Sequence, residues 1–324
     1  MPHELLQTSH ESVINEATAF VDKIAYGPAV QDLAKSFGYM RPESDNPTDE
    51  LEALKTFTNK YWNFRNGGER WNAVAPDFKE ESDAIFAAAD EWNMVKSTEP
   101  TKDHYDFVTV PGGGKVSPFY RVKYAKEQME KHGLEIPYMI LLGSARPLDK
   151  KNGEPEAAAF YAPNAKDEFD LMNASVETHY DIKHDDERII NLYNTNPNAA
   201  DRDMWRVRLY ETDDGMKIFS VSAPQIEGTS RVNTGDTYLF MEEVVGKEML
   251  SGKDVLNVTG AQFTAFQHAD ALRLLGLKAD AHIETIGYEA AYAGTERMPH
   301  ELLQEMNSAI NQAYMLDEAL GMAA

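Results

Sequence analysis

The chain has 324 residues, enough for about two domains. Hydrophobic residues make up 42% and charged residues 26%, which excludes a chain disordered throughout, a collagen and a coiled coil. Acidic side chains number 54 against 31 basic ones, a formal charge of −23 that repels nucleic acid and anionic membranes, and the lack of cysteine excludes disulfides, thiolate catalysis and thiolate-bound metal centres.

The first residues are polar and lack the basic-then-apolar order of a signal peptide. The apolar run 138–142 is far short of a membrane span. A cytoplasmic protein with no membrane or nucleic-acid partner is expected. Residues 1–100 read as helical. Leu5, Leu6, Val13, Ile14, Ala17, Phe20, Val21 and Ile24 fall near helical spacing, and Gly27-Pro28 breaks the run. Further helices are expected over 29–37, 51–64 and 82–95, with a loop over 41–50. Val108, Thr109 and Val110 begin a β-branched strand near 106–110, followed at once by Gly112, Gly113 and Gly114. A helix over 119–132 stops at Gly133, and a second strand over 138–142 precedes Gly143 and Ser144. The stretch 148–165 reads as a loop and 168–179 as a helix. Strands over 205–211 and 216–221 pair through the Asp214-Gly215 turn. A helix over 237–250, a strand over 254–258, a helix over 262–275 and a strand over 282–286 complete the pattern. Strand, glycine-rich turn and helix in repetition predict an α/β fold with a mainly parallel sheet flanked by helices. The boundaries expected are a helical region over 1–100, an α/β domain over 101–295 and a C-terminal helix over 296–324.

The heptapeptide MPHELLQ occurs at 1–7 and again at 298–304. Each copy puts Pro just inside a helix start, so two similar amphipathic end helices are expected, packing as a pair. The following echo, 12–17 against 308–313, is one residue closer in the second copy, an offset of about 100° on a helix.

In an open α/β sheet, ligands sit beyond the carboxyl ends of the strands. The first turn there supplies Gly112, Gly113, Gly114, Lys115 and Ser117, with Arg121 on the following helix; the second supplies Gly143, Ser144 and Arg146. Consecutive glycines admit close backbone approach and turn N–H groups toward an anion. The spacing is neither a Walker loop nor GxGxxG, because Ser117 stands where the third glycine belongs. Further along come Arg231, Asn233, Thr234 and Asp236 at a helix start, then Thr259 and Gln262, with His268 in the next helix. Lys115, Arg121, Arg146 and Arg231 are four cations at one expected sheet edge of an acidic chain, which points to a small anionic ligand. Asp236 and His268 are the candidates for proton transfer. HExxH and GxSxG are absent, and no metal ligand set is expected.

The segments VTVPGGGKVSPFYRVKYA, YMILLGSARP, RVNTGDTYLF and NVTGAQFTAFQHADALRLLG, in this order over 106–287, resemble the YdcF/SanA/ElyC-like family. Gly112–Gly114, Arg121, Arg231, Asn233, Thr234, Val258 and Thr259 carry the resemblance, while Phe263 and Phe266 stand where that family has histidine and arginine. The resemblance implies a Rossmann-like fold and S-adenosylmethionine as one ligand, in a divergent branch without a membrane anchor. Three readings follow. The chain acts on a phosphorylated or nucleotide-like small molecule, or binds a nucleotide or S-adenosylmethionine without turnover, or docks a protein partner through its helices.

Overall fold

The computed structural model describes residues 2–65, 74–196, 198, 203–225 and 232–323. Its helices, in chain order, are α1 (Pro2–Tyr26), α2 (Pro28–Ser36), α3 (Pro47–Tyr61), α4 (Ser82–Glu91), α5 (Ser117–His132), α6 (Glu154–Ala158), α7 (Glu168–His179), α8 (Thr234–Val245), α9 (Lys247–Leu250), α10 (Thr264–Ala271), α11 (Leu277–Ala279) and α12 (Pro299–Ala323). The strands are β1 (Phe107–Pro111), β2 (Tyr138–Ser144), β3 (Ile190–Tyr193), β4 (Arg206–Glu211), β5 (Lys217–Ala223), β6 (Asp254–Gly260) and β7 (His282–Tyr288).

The fold is α/β, with a mostly parallel mixed sheet in the order β3-β4-β5-β2-β1-β6-β7. β5, β2, β1 and β6 run parallel, with Val110 opposite Leu141 and Thr109 opposite Asn257. β4 pairs antiparallel with β5 and β3 antiparallel with β4. The expected strands near 106–110, 138–142, 216–221, 254–258 and 282–286 are all present, as is the hairpin at Gly215, whose φ of 88° needs glycine. β3 lies in a stretch with no expected strand. The expected helix over 237–250 is two helices, because Gly246 at φ 93° ends α8. The expected helix over 262–275 is a 3₁₀ turn, then α10, then a π-helical stretch over Leu272–Gly276. Within the loop 148–165 stand a 3₁₀ turn, Lys150–Asn152, and α6.

The chain divides into two units. One comprises 1–98, 260–280 and 285–324; the other comprises 99–259 and 281–284. The first is helical, and α12 runs through its middle. α1, α3, α4 and α10 all pack on it, and Leu302, Leu303, Met306, Ala309, Ile310 and Ala313 are fully enclosed. The repeated segment thus opens two helices, α1 from Pro2 and α12 from Pro299, which pack against each other.

The second unit holds β1 to β6. α7 packs on β2 and β5, α5 on β1 and on α7, and α8 on β2 and β5. Apolar side chains of β1 and β2, among them Val108, Val110, Met139, Ile140 and Leu141, are buried, as double-sided cover requires of parallel strands. Tyr238 of α8 donates to Asn257 Oδ1 at 3.1 Å, and Thr109 donates to the same oxygen at 3.0 Å. That polar trio ties α8, β6 and β1 together inside the core.

Candidate functional site

Because β5, β2, β1 and β6 are parallel neighbours, the turns after β1 and β2 open at the same sheet edge. The turn after β1 is anchored by Gly112 N–H, which donates to the Leu142 carbonyl at 2.6 Å. The turn after β2 is anchored by a short antiparallel crossing of 146–148 over 166–168. Leu148 N–H donates to Lys166 O and Glu168 N–H to Arg146 O, both at 3.0 Å. This crossing delivers Arg146 and Glu168 to the glycine turn together.

Two carboxylates are buried there. Glu154 is 2% exposed and Glu168 9%. Arg146 meets Glu154 two-pronged, Nη1 to Oε2 at 2.9 Å and Nη2 to Oε1 at 3.1 Å, and Asp149 N–H adds a bond to Oε2 at 2.7 Å. Glu168 accepts from Ser144 Oγ at 2.6 Å, with Arg146 Nε 4.0 Å away. Burial pushes the Glu168 carboxyl above its ordinary range; the Ser144 hydroxyl, Arg146 and Arg121 oppose that rise, and the Glu154 charge adds to it. The glycines serve these carboxylates. A Cβ on residue 112 would overlap Glu168 Oε1, and one on residue 114 would overlap Glu154 Oε1.

The expected site residues fall into three groups. Gly112, Gly113, Gly114, Lys115, Ser117, Arg121, Gly143, Ser144 and Arg146 come together at this edge of the second unit. Arg121, 3% exposed, donates Nη1 to the Pro111 carbonyl at 2.8 Å and also to the Gly112 carbonyl, so it fastens the end of β1. A Cβ on Gly143 would overlap the Met172 sulfur, so that glycine makes room for α7. Lys115 stands at the tip of the turn in left-handed backbone, φ 55°. Its Nζ lies 3.4 Å from Asn152 Oδ1, and no carboxylate partner for it is found among the described residues.

The second group is Asn233, Thr234, Asp236 and Thr259. Asn233 and Asp236 cap α8 reciprocally. Asp236 N–H donates to Asn233 Oδ1 at 3.2 Å, and Asn233 N–H to Asp236 Oδ2 at 2.9 Å. Burial raises the Asp236 carboxyl, against hydrogen bonds to it from the backbone and the side chain of Asn233. A cavity of about 390 Å³ lies beside this cap, lined by Pro224, Asp236, Phe240, Glu243 and Lys247. Thr259 is fully buried on β6, its hydroxyl without a hydrogen-bond partner among the described residues. The third group is Gln262 and His268, both in the helical unit. Gln262 is 7% exposed, and His268 Nδ1 lies 3.0 Å from Thr285 Oγ1. Arg231 lies outside the described residues.

Sequence reasoning missed Glu154 and Glu168. Glu154 is joined to Arg146 across 8 residues and Glu168 to Ser144 across 24, and the chain between them changes direction through loops and short helices, so no single helix or strand period sets either pairing. Among the described residues no group of three or more histidines and carboxylates stands close enough to hold a metal ion.

Residues 8–92 match the family model of the Rv3785 N-terminal domain. The chain as a whole is 28% identical, over 327 positions, to uncharacterized protein Rv3785 of Mycobacterium tuberculosis (strain ATCC 25618 / H37Rv). It is equally similar to uncharacterized protein Mb3814 of Mycobacterium bovis; each comparison spans 93% of this chain and 89% of the relative. No solved structure matches the chain. These findings overturn the resemblance to the YdcF/SanA/ElyC-like family. The motifs behind it are a glycine turn, an arginine and a capped helix, short features that unrelated α/β sheets carry at the carboxyl ends of their strands. S-adenosylmethionine, expected only through that resemblance, loses its support.

Proposed function

We propose that the α/β unit binds a small phosphorylated or nucleotide-like molecule at the carboxyl edge of β1 and β2, with Glu168 as its group for proton transfer. The observation that carries this reading is Lys115. A non-glycine residue in left-handed backbone is a local cost of about 1 kcal/mol or more, and such positions cluster at ligand clamps. Here that backbone holds an ammonium at the tip of a glycine turn, with one long contact to an amide oxygen. Arg146 supplies a second charge at the same edge. Glu168 replaces Asp236 and His268 as the proton-transfer candidate, since Asp236 is spent on the α8 cap and His268 belongs to the other unit. A nucleic-acid partner is no part of the proposal, given a formal charge of −23. We take the cytoplasm as the compartment. Among the described residues no helix is long and apolar enough to cross a membrane.

The test is native mass spectrometry and calorimetry of the full chain against nucleoside triphosphates, sugar phosphates and inorganic phosphate, repeated on Lys115→Met. Losing a charge-assisted contact of about 1.5–3 kcal/mol weakens binding roughly ten- to a hundredfold. The melting temperature should hold. A panel with no bound phosphorylated ligand, or an affinity indifferent to Lys115→Met, overturns the reading.

A further inference from the structure

The stretch 148–165 is fastened over the glycine turn at three points. Asn152 Oδ1 accepts from Lys115 Nζ at 3.4 Å, and the Tyr161 hydroxyl donates to the Lys115 carbonyl at 2.7 Å. The third point is Glu154, whose Oε1 fills the space that a side chain at Gly114 would need. Beneath these contacts Leu148, Ala158, Tyr161 and Ala162 form a small apolar cluster with Leu171. The strap is therefore seated by hydrophobic packing at its ends and by charge in its middle.

Its charged middle has the geometry of ligand recognition. A guanidinium fork takes the two oxygens of a carboxylate or of a phosphate in the same planar way. Glu154, itself 2% exposed, presents two oxygens to Arg146 at 2.9 and 3.1 Å and takes the Asp149 N–H as a third donor. A buried ion pair of this kind is often no more stabilising than apolar residues of equal volume, so stability alone gives little reason to keep it. We infer that Arg146, the Asp149 N–H and the open backbone at Gly114 form an oxyanion site whose resident occupant is Glu154, and that a ligand phosphate takes its place and frees the strap. This rests on the small-anion reading of the same edge. It also names what the ligand must bring. Glu154 is tethered beside Arg146 and competes at an effective concentration in the millimolar range or above. Free phosphate therefore binds weakly, and a ligand that also reaches Lys115 binds well. Arg146 stays paired throughout the exchange.

The test titrates inorganic phosphate into the full chain and into Glu154→Gln, which keeps the side chain's shape and removes its charge. Phosphate should bind Glu154→Gln at least tenfold tighter than the wild type, and adding Arg146→Ala should abolish the gain. Hydrogen exchange on the wild type supplies a measurement that does not depend on any variant folding. Saturating phosphate should speed exchange of the amides over 150–158, while the Asp149 amide stays bonded to the anion. Equal phosphate affinity in wild type and Glu154→Gln, or exchange that is unchanged or slower, overturns the inference. If affinity is equal in those two but falls in Lys115→Met, the displacement fails while the ligand site stands. If neither the wild type nor Glu154→Gln binds phosphate, and no phosphorylated ligand binds, both readings fail together.

Discussion

His268 shows how environment sets a residue's role. Its ring stands edge-on to Phe20, 4.8 Å between centroids, and its Nδ1 meets Thr285. Burial first, and the charge of Lys23 second, pull its pKa down to about 4. In the unfolded chain the imidazole titrates near its usual value of about 6.5. Between these values the unfolded form takes up a proton that the folded form refuses. Its contribution is intact above about pH 6.5, drains away as pH falls, and is gone near pH 4, a loss of no more than about 3 kcal/mol. Denaturant midpoints measured from about pH 7 to about pH 4 should therefore fall more steeply for the wild type than for His268→Gln. Parallel curves would mean an unshifted histidine. The same dependence on surroundings explains what could be read of the candidate site. Glycine turns and cations announce themselves by residue type, and the turns after β1 and β2 do converge. Whether Arg121 and Arg146 face a ligand or the protein's own groups depends on Pro111, Gly112 and Glu154, which only the tertiary fold brings to them.

At the scale of elements, legibility follows burial. β1, β2 and β5 are covered by helices and β6 is buried along nearly its whole length, so their apolar runs are long enough to read from sequence. β3 has four residues, all exposed, on one edge of the sheet, and such a strand has no buried face to impose a pattern on its sequence. Breaks between helices are legible where glycine or proline marks them. Gly27-Pro28 separates α1 from α2 as expected, and Gly246 ends α8 although apolar spacing continues past it. The start of α8 gives a direct test of its cap. Asn233 and Asp236 satisfy each other's backbone N–H groups, and losing such a side chain costs about 1 kcal/mol of stability. Asn233→Ala should lower the unfolding free energy by that amount, with Asp236→Ala similar and the double variant well short of the sum. Additive losses would show two separate contacts in place of one reciprocal cap.

Over the whole molecule, charge is the dominant bias. A formal charge of −23 on 324 residues leaves a net excess of negative charge, and self-repulsion of this kind destabilises the compact state. Against it stand exposed ion pairs such as Lys96–Asp90 at 2.6 Å and Arg188–Asp186 at 2.9 Å. Pairs on the surface contribute about 0–1 kcal/mol each and are screened by the same salt that screens the repulsion. The two effects have opposite signs, so salt decides between them. Going from about 0.1 M to about 1 M sodium chloride shortens the Debye length from about 10 Å to about 3 Å. Repulsion acts over many distances and fades first. Contact pairs fade less, and the enclosed Arg146–Glu154 pair least of all. The melting temperature should therefore rise steadily with sodium chloride, a salt chosen over sulfate because sulfate strengthens apolar burial by itself. A flat or falling melting temperature would show that the surface pairs outweigh the net charge. Then the acidity of this chain would be a matter of the solvent it meets, with little bearing on its stability.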